Sequence, residues 1–259
     1  KMENGEQLDG DRISRVDDFL SSKECKEMIQ KAEASGFRPS PASGGGHGRT
    51  GREEPRNNQF TIITDQKIAD LLWTKVKDLI PEDLSFVESS PYFGQAGGSE
   101  WKACGVVERL RFYKYESGQQ YPEHMDGAYK RNVVTESGDS YIQHSFMTLL
   151  IYLNDDFEGG KTMFYPDHQH CRFLREVENK IPRITVTPTK GSALISLHSL
   201  LHAAEPVVTG VKYVLRTDIL YQKKAPSHPK LHKFSNGEKK AASVSEWEKI
   251  FEPSCKLYH

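Results

Sequence analysis

Tyr115-Glu-Ser-Gly-Gln-Gln-Tyr-Pro-Glu-His-Met-Asp126 is the stretch on which the reading of this chain turns. His124 and Asp126 in it form an H-x-D pair. In an extended segment residues i and i+2 point to the same face, so an imidazole nitrogen and a carboxylate oxygen can reach one metal ion from adjacent positions. Two ligands hold a metal poorly. The third is expected from His202, which opens His-Ala-Ala-Glu-Pro-Val-Val-Thr-Gly-Val-Lys212. Two histidines and one carboxylate suit a ferrous ion and leave its other coordination positions open. An H-x-D pair alone is a weak signal, and its neighbours give it weight.

Those neighbours resemble a known family. Tyr115, Gly118, Gln119, Tyr121, His124 and Asp126 look like the first metal strand of the prolyl 4-hydroxylase group of 2-oxoglutarate, Fe(II)-dependent oxygenases. The segment Gly159-Gly160-Lys-Thr162-Met-Phe164 is similar to that family's G-G-x-T-x-F strand. Pro188, Gly191 and Ala193 fit the strand before the second metal strand, and His202, Pro206, Val207, Gly210 and Lys212 fit the last motif in order and spacing. The resemblance runs from about residue 12 to residue 222. It implies Fe(II) on His124, Asp126 and His202, with 2-oxoglutarate as cosubstrate, O2 as oxidant and ascorbate as an optional reductant.

For the distal carboxylate of 2-oxoglutarate the resemblance implies Lys212, with Tyr115 and Thr162 as hydroxyl partners. Arg216 lies four residues on and faces the same way in a strand. An arginine grips a carboxylate bidentately, whereas lysine acts as a point charge, so both cations stay candidates. Halogenating relatives lack the carboxylate found here at Asp126. Its presence implies hydroxylation, or desaturation or ring closure by the same C–H oxidation.

The resemblance weakens where substrate is concerned. Peptide-acting prolyl hydroxylases carry a tryptophan six residues beyond the lysine, and this chain has Asp218 there. The family's arginine-threonine-serine stretch is represented only by Arg49-Thr-Gly or Arg56-Asn-Asn. The expected substrate is therefore a small polar metabolite such as an amino-acid derivative. Arg56, Asn58, Tyr121 and Asp218 are the candidates to bind it, with Arg49, Arg52 and Arg131 as further cations near the mouth. A peptidyl prolyl 4-hydroxylase acting on a protein is the alternative. A non-catalytic jelly-roll binding module is a third reading, and open coordination argues against it, since a structural metal site is closed.

Ten histidines offer competing ligand sets. His198 lies four residues before His202 in a strand-like context, which suits a supporting residue better than a ligand. His144 opens an apolar strand as a core or rim histidine, and His168-x-His170-Cys171 reads as a solvated loop.

The 259 residues suffice for one large β-rich domain with an adequate core. With 35 basic and 36 acidic residues the net charge is −1, which gives no field to attract nucleic acid or an anionic membrane. The longest apolar run, Phe146–Leu153, is too short to span a bilayer. Cys25, Cys104, Cys171 and Cys255 form no C-x-x-C pair, which points to single reduced thiols and a cytoplasmic location.

Taken in order, residues 1–11 are expected to fray. Two N-terminal helices follow, one begun by the capping box Ser21-x-x-Glu24 and stopped at Gly36, the other capped by Asp65 and ended by Pro81. Residues 38–52 read as a glycine-rich loop. From Gly105 the pattern becomes β, with strands expected at 105–115, 120–126, 144–153, 160–164, 184–187, 192–197 and 211–221. Residues 127–143 and 166–182 are expected as polar loops over the mouth. The predicted class is α+β, mainly β. A double-stranded β-helix (jelly roll) core at 105–222 rests on helical support at 12–80. A basic tail, 223–259, is expected to carry a short terminal helix packed by Trp247.

Overall fold

The computed structural model describes residues 5–41, 56–87, 98–165 and 182–225. The predicted terminal helix around Trp247, the tract His168–Cys171, Arg49 and Arg52 lie outside the described residues.

Strands β1 (Gly5–Asp9) and β2 (Ile13–Val16) pair antiparallel, so the expected frayed start is instead an edge strand. Helix α1 (Ser22–Ser35) begins at a complete capping box. The Ser21 hydroxyl accepts the Glu24 N–H while the Glu24 carboxylate accepts the Ser21 N–H. Gly36, at φ 78°, stops it, and Cys25, Met28 and Ala32 face the core. After β3 (Arg38–Pro39) and β4 (Gln59–Thr64), the Asp65 carboxylate caps α2 (Gln66–Val76) by accepting the Ile68 N–H. That helix ends at Val76, before Pro81. Its buried face is Ala69, Leu72 and Val76, and Leu71 is exposed.

The β-rich part opens with β5 (Lys102–Val106), β6 (Arg109–Tyr115) and β7 (Tyr121–His124). It continues through β8 (Lys130–Val134), β9 (Ser140–Tyr152), β10 (Phe157–Gly159) and β11 (Thr162–Phe164). The last strands are β12 (Ile184–Val186), β13 (Ala193–Leu197), β14 (His202–Ala204), β15 (Val207–Gly210) and β16 (Lys212–Lys224). The major sheet runs β1-β2-β13-β9-β16-β6-β4-β3, with β5 on β16 and β8 on β9, and a minor sheet runs β12-β11-β14-β7. Phe164 and Val186 of the minor sheet belong to one apolar cluster with Leu149, Ile151 and Leu215 of the major sheet. This is the jelly roll expected from the sequence.

Three expectations are corrected. The single strand expected over 105–115 is two strands, because the Glu108 carbonyl turns aside to accept the Asp65 N–H at the start of α2. Residues 130–143 are no overhanging loop but mostly a hairpin, with Lys130 opposite His144 and Val134 opposite Ser140. Their alternation is nearly all polar, which hides the strand. The first metal strand stops at His124, and Asp126 follows beyond its end with its N–H donated to the His198 carbonyl at 3.1 Å.

Register in β16 sets the inner face. Lys212 lies opposite Tyr115, Arg216 opposite both Arg111 and Leu150, and Asp218 opposite Thr148. Because strand side chains alternate, Lys212, Val214, Arg216 and Asp218 share one face of the sheet. No helix among the described residues is long and apolar enough to cross a membrane. Cys25 and Cys104 are both free thiols, and burial pushes the Cys104 thiol up to about 11.

Candidate metal centre

His124 and His202 are direct cross-strand partners on β7 and β14, with ring centroids 4.3 Å apart. Each imidazole is fixed from behind. The His124 Nδ1 donates to the Pro122 carbonyl at 2.8 Å and the His202 Nδ1 to the Leu200 carbonyl at 2.9 Å. A proton held on Nδ1 leaves the Nε2 lone pair for a metal. Those Nε2 atoms lie 3.7 Å and 3.8 Å from the two oxygens of Asp126. One ligand atom from each of the three residues falls within 4.8 Å of the others, the one such cluster among the described residues.

Protonation suits ligation. Burial, reinforced by His202, pushes the His124 imidazole down to about 3, so it is neutral at neutral pH. Burial alone would raise the Asp126 carboxyl, but Arg216 and the two imidazoles outweigh it and hold the group far below the ordinary range. Two imidazole nitrogens and one carboxylate, each oriented by a second hydrogen bond, are a donor set fit for a divalent cation.

The surrounding side chains hold this geometry. The Thr148 hydroxyl donates to Asp126 Oδ2, and Arg216 Nη2 lies 3.2 Å from Oδ1. The Tyr121 ring stacks on His124 at 3.7 Å and 12°, and the Arg56 guanidinium carbon lies 4.2 Å from the centre of the Tyr121 ring. His198 is buried with Nε2 3.6 Å from Asp218 Oδ1, and its carbonyl holds the Asp126 N–H, so it supports the centre and is outside the ligand cluster.

Lys212 is 2% exposed, and its Nζ donates to the Gly160 carbonyl. The Tyr115 and Tyr152 ring centres lie 5.3 Å and 5.5 Å from Nζ. The Tyr152 hydroxyl donates to Thr162 Oγ at 2.7 Å. Thr162 is two residues along β11 from Phe164, which faces His202 across the sheet. A buried ammonium with one carbonyl partner is poorly compensated, and burial pushes Lys212 down to about 7. The structure thus gathers Lys212, Tyr115 and, through Tyr152, Thr162 in one cluster, on strands that include a direct neighbour of the His202 strand. Tyr152 was missed, and its signal was the polar end of an apolar run.

The other candidates differ. Arg216 Nη2 donates to Asp218 Oδ1 at 3.1 Å and lies 3.2 Å from Asp126 Oδ1, so that end of the guanidinium is engaged by carboxylates. Asp218 is 1% exposed between Arg216, His198 and Arg111, the last at 3.6 Å. Asn58 is buried, accepting from Arg56 Nε at 2.9 Å and donating to the Gln59 carbonyl, so it braces Arg56. Arg131 is tied at one side of the site to both oxygens of Glu108, at 2.8 and 3.0 Å, and to Gln143.

Comparison with known proteins agrees with this geometry. Residues 110–217 match the family model described as the 2OG-Fe(II) oxygenase superfamily. A curated protein of Arabidopsis thaliana described as probable prolyl 4-hydroxylase 4 is 27% identical over 211 residues, covering 75% of this chain and 62% of that protein. Prolyl 4-hydroxylase 2 of the same plant is 25% identical over 211 residues, with the same coverage of 75% and 62%. The alignments thus span less than two thirds of these relatives' length. A crystal structure of a 2OG-Fe(II) oxygenase family oxidoreductase from Burkholderia pseudomallei superposes with a TM-score of 0.50 at 10% identity, over 82% of this chain and 85% of that one. A Trichoplax adhaerens prolyl hydroxylase in complex with a hypoxia inducible factor peptide fragment gives 0.50 at 18%, over the same 82% and 85%. At such identities the likeness is one of fold.

Proposed function

We propose that this chain, whose residues 110–217 match the 2OG-Fe(II) oxygenase superfamily, is an oxygenase of that kind and oxidises an unactivated C–H bond of a small polar metabolite such as an amino-acid derivative. Hydroxylation is the default outcome. His124, Asp126 and His202 hold Fe(II), and Lys212 takes the distal carboxylate of 2-oxoglutarate with Thr162 and Tyr152 beside it. Iron held there would supply O2 activation coupled to the breakdown of 2-oxoglutarate into succinate and CO2.

The chain's own residues supply position and charge. The two Nδ1–carbonyl hydrogen bonds and the Tyr121 stack hold the imidazoles, and Thr148 and Arg216 hold the carboxylate. Lys212 is preferred to Arg216 for the cosubstrate, since Arg216 already meets two aspartates while Lys212 meets none. The observation that carries the reading is this lysine, buried with no carboxylate in ion-pair contact among the described residues, on the inner face that also bears the Arg216–Asp126 contact.

The test is release of succinate from 2-oxoglutarate by the purified chain. It is expected to need added Fe(II) and to vanish in His124→Ala. Turnover independent of iron would overturn the reading. A peptidyl prolyl 4-hydroxylase is the second reading, favoured by the names of the curated relatives. Asp218 in place of the tryptophan of peptide-acting enzymes favours the first. Proline-rich peptides and amino-acid derivatives compared for coupled succinate release separate the two.

A further inference from the structure

The inner face carries a second basic feature, distinct from Lys212. Arg111 on β6 and Arg216 on β16 are direct cross-strand partners. Like charges placed opposite each other on one face of a sheet are destabilising unless something answers them. Asp218 answers in part, lying 3.1 Å from Arg216 Nη2 and 3.6 Å from Arg111 Nη1. The answer is incomplete. Arg216 Nε and Arg111 Nη1 are buried and have no hydrogen-bond acceptor among the described residues. Buried donors of this kind cost free energy, and guanidinium donors cost more than neutral ones.

We propose that the Arg111–Arg216 pair is the subsite for a carboxylate of the primary substrate, which makes that substrate a small organic acid. The inference rests on the function proposed above and adds the substrate's charge class to it. Two guanidiniums are a fork pair suited to a planar carboxylate, which accepts from both at once.

Position supports the assignment. Arg216 Nη2 is 3.2 Å from Asp126 Oδ1, so an acid held by the pair lies close to the metal centre. The carbon attacked is then a short chain away from the carboxylate. Arg131, by contrast, is engaged by Glu108 and Gln143, and Arg56 by Asn58 and Tyr121.

The experiment measures affinity without turnover. The protein is loaded with Mn(II) and saturating 2-oxoglutarate, and short-chain amino and hydroxy acids are titrated against their primary amides by calorimetry. At least one acid is expected to bind about tenfold or more tighter than its amide, the worth of a charge-assisted bidentate contact. Arg111→Gln is expected to erase that difference and Arg111→Lys to restore part of it. The affinity for 2-oxoglutarate should stay within about twofold in both variants, as for a separate site. Acids that bind no better than their amides overturn the proposal on the wild-type protein, whatever the variants do. It is equally overturned if Arg111→Gln weakens 2-oxoglutarate as much as the acid. A parallel titration of metal-free protein separates the two readings. An acid preference that depends on Arg111 and persists in a chain unable to bind Mn(II) or 2-oxoglutarate supports the subsite and sinks only the proposed oxygenase function.

Discussion

Lys212 and Arg216 stand four residues apart on one face of one strand, both buried, in opposite surroundings. The arginine lies against Asp126 and Asp218, while the lysine has two aromatic faces and one carbonyl. Burial disfavours the charged form of both. At Arg216 the two carboxylates overcome it and raise the guanidinium further, whereas at Lys212 nothing nearby does and the ammonium falls to about 7. One cation is part of the folded frame. The other waits for a charge to be brought to it.

Removing each should therefore act in opposite ways. Arg216→Met leaves buried Asp126 without its guanidinium partner and Asp218 with only the more distant Arg111. Breaking a buried pair in this way is expected to cost about 3–5 kcal/mol, read by urea unfolding. Lys212→Met removes a charge that the chain's own groups compensate poorly, so the stability of the metal-free protein should hold or rise. Its affinity for 2-oxoglutarate should fall roughly 100-fold, the worth of a lost charge-assisted contact. Loss of stability in Lys212→Met equal to that in Arg216→Met would erase the distinction.

The same contrast gives a pH dependence. In the unfolded chain Lys212 titrates near its ordinary value, about 10.5, and in the folded chain near 7. Between those values the unfolded state binds the extra proton, so this group makes stability rise as pH rises from about 7 towards 10. Below 7 its full penalty is present. Urea midpoints of the metal-free wild type should show this rise, and Lys212→Met should flatten it. Binding of 2-oxoglutarate runs the other way. Above pH 7 the neutral amine must first take up a proton, and affinity should fall by up to about tenfold per pH unit. Arg216 contributes nothing to either slope, since its guanidinium stays charged throughout.

Much of this was legible in the chain and some was not, for reasons of geometry. His124 and Asp126 stand out because their spacing is local, and His202 because the motifs around it match a family's in order and spacing. The capping box of α1 and the apolar run in β9 are equally local signals. Thr148, Tyr152 and Arg111 could not be singled out. Each is one residue of an alternating strand, and its importance comes from which residue the neighbouring strand places opposite. Register of that kind is absent from any one segment. The hairpin of β8 was missed because its exposed alternation of Lys130, Asn132 and Val134 carries no apolar stripe. Asp126 was expected to share a strand with His124. Its place beyond the strand end depends on the His198 carbonyl, far away in sequence.

The smallest expected effect lies beside the lysine, at Tyr152. Its hydroxyl is buried and donates to Thr162 Oγ, so the Thr162 proton is free to be given to another acceptor. A carboxylate held by Lys212 is the acceptor this arrangement suits, because neither hydroxyl then has to turn away from its partner. Tyr152→Phe deletes one buried hydrogen bond, about 1 kcal/mol, and should weaken 2-oxoglutarate roughly fivefold. Thr162→Val should weaken it at least as much, and the double variant should cost less than the two single losses added, since both hydroxyls act through one contact. Calorimetric titration of the four proteins measures this. Full affinity in Tyr152→Phe, beside its loss in Lys212→Met, would confine recognition of the anion to the ammonium alone.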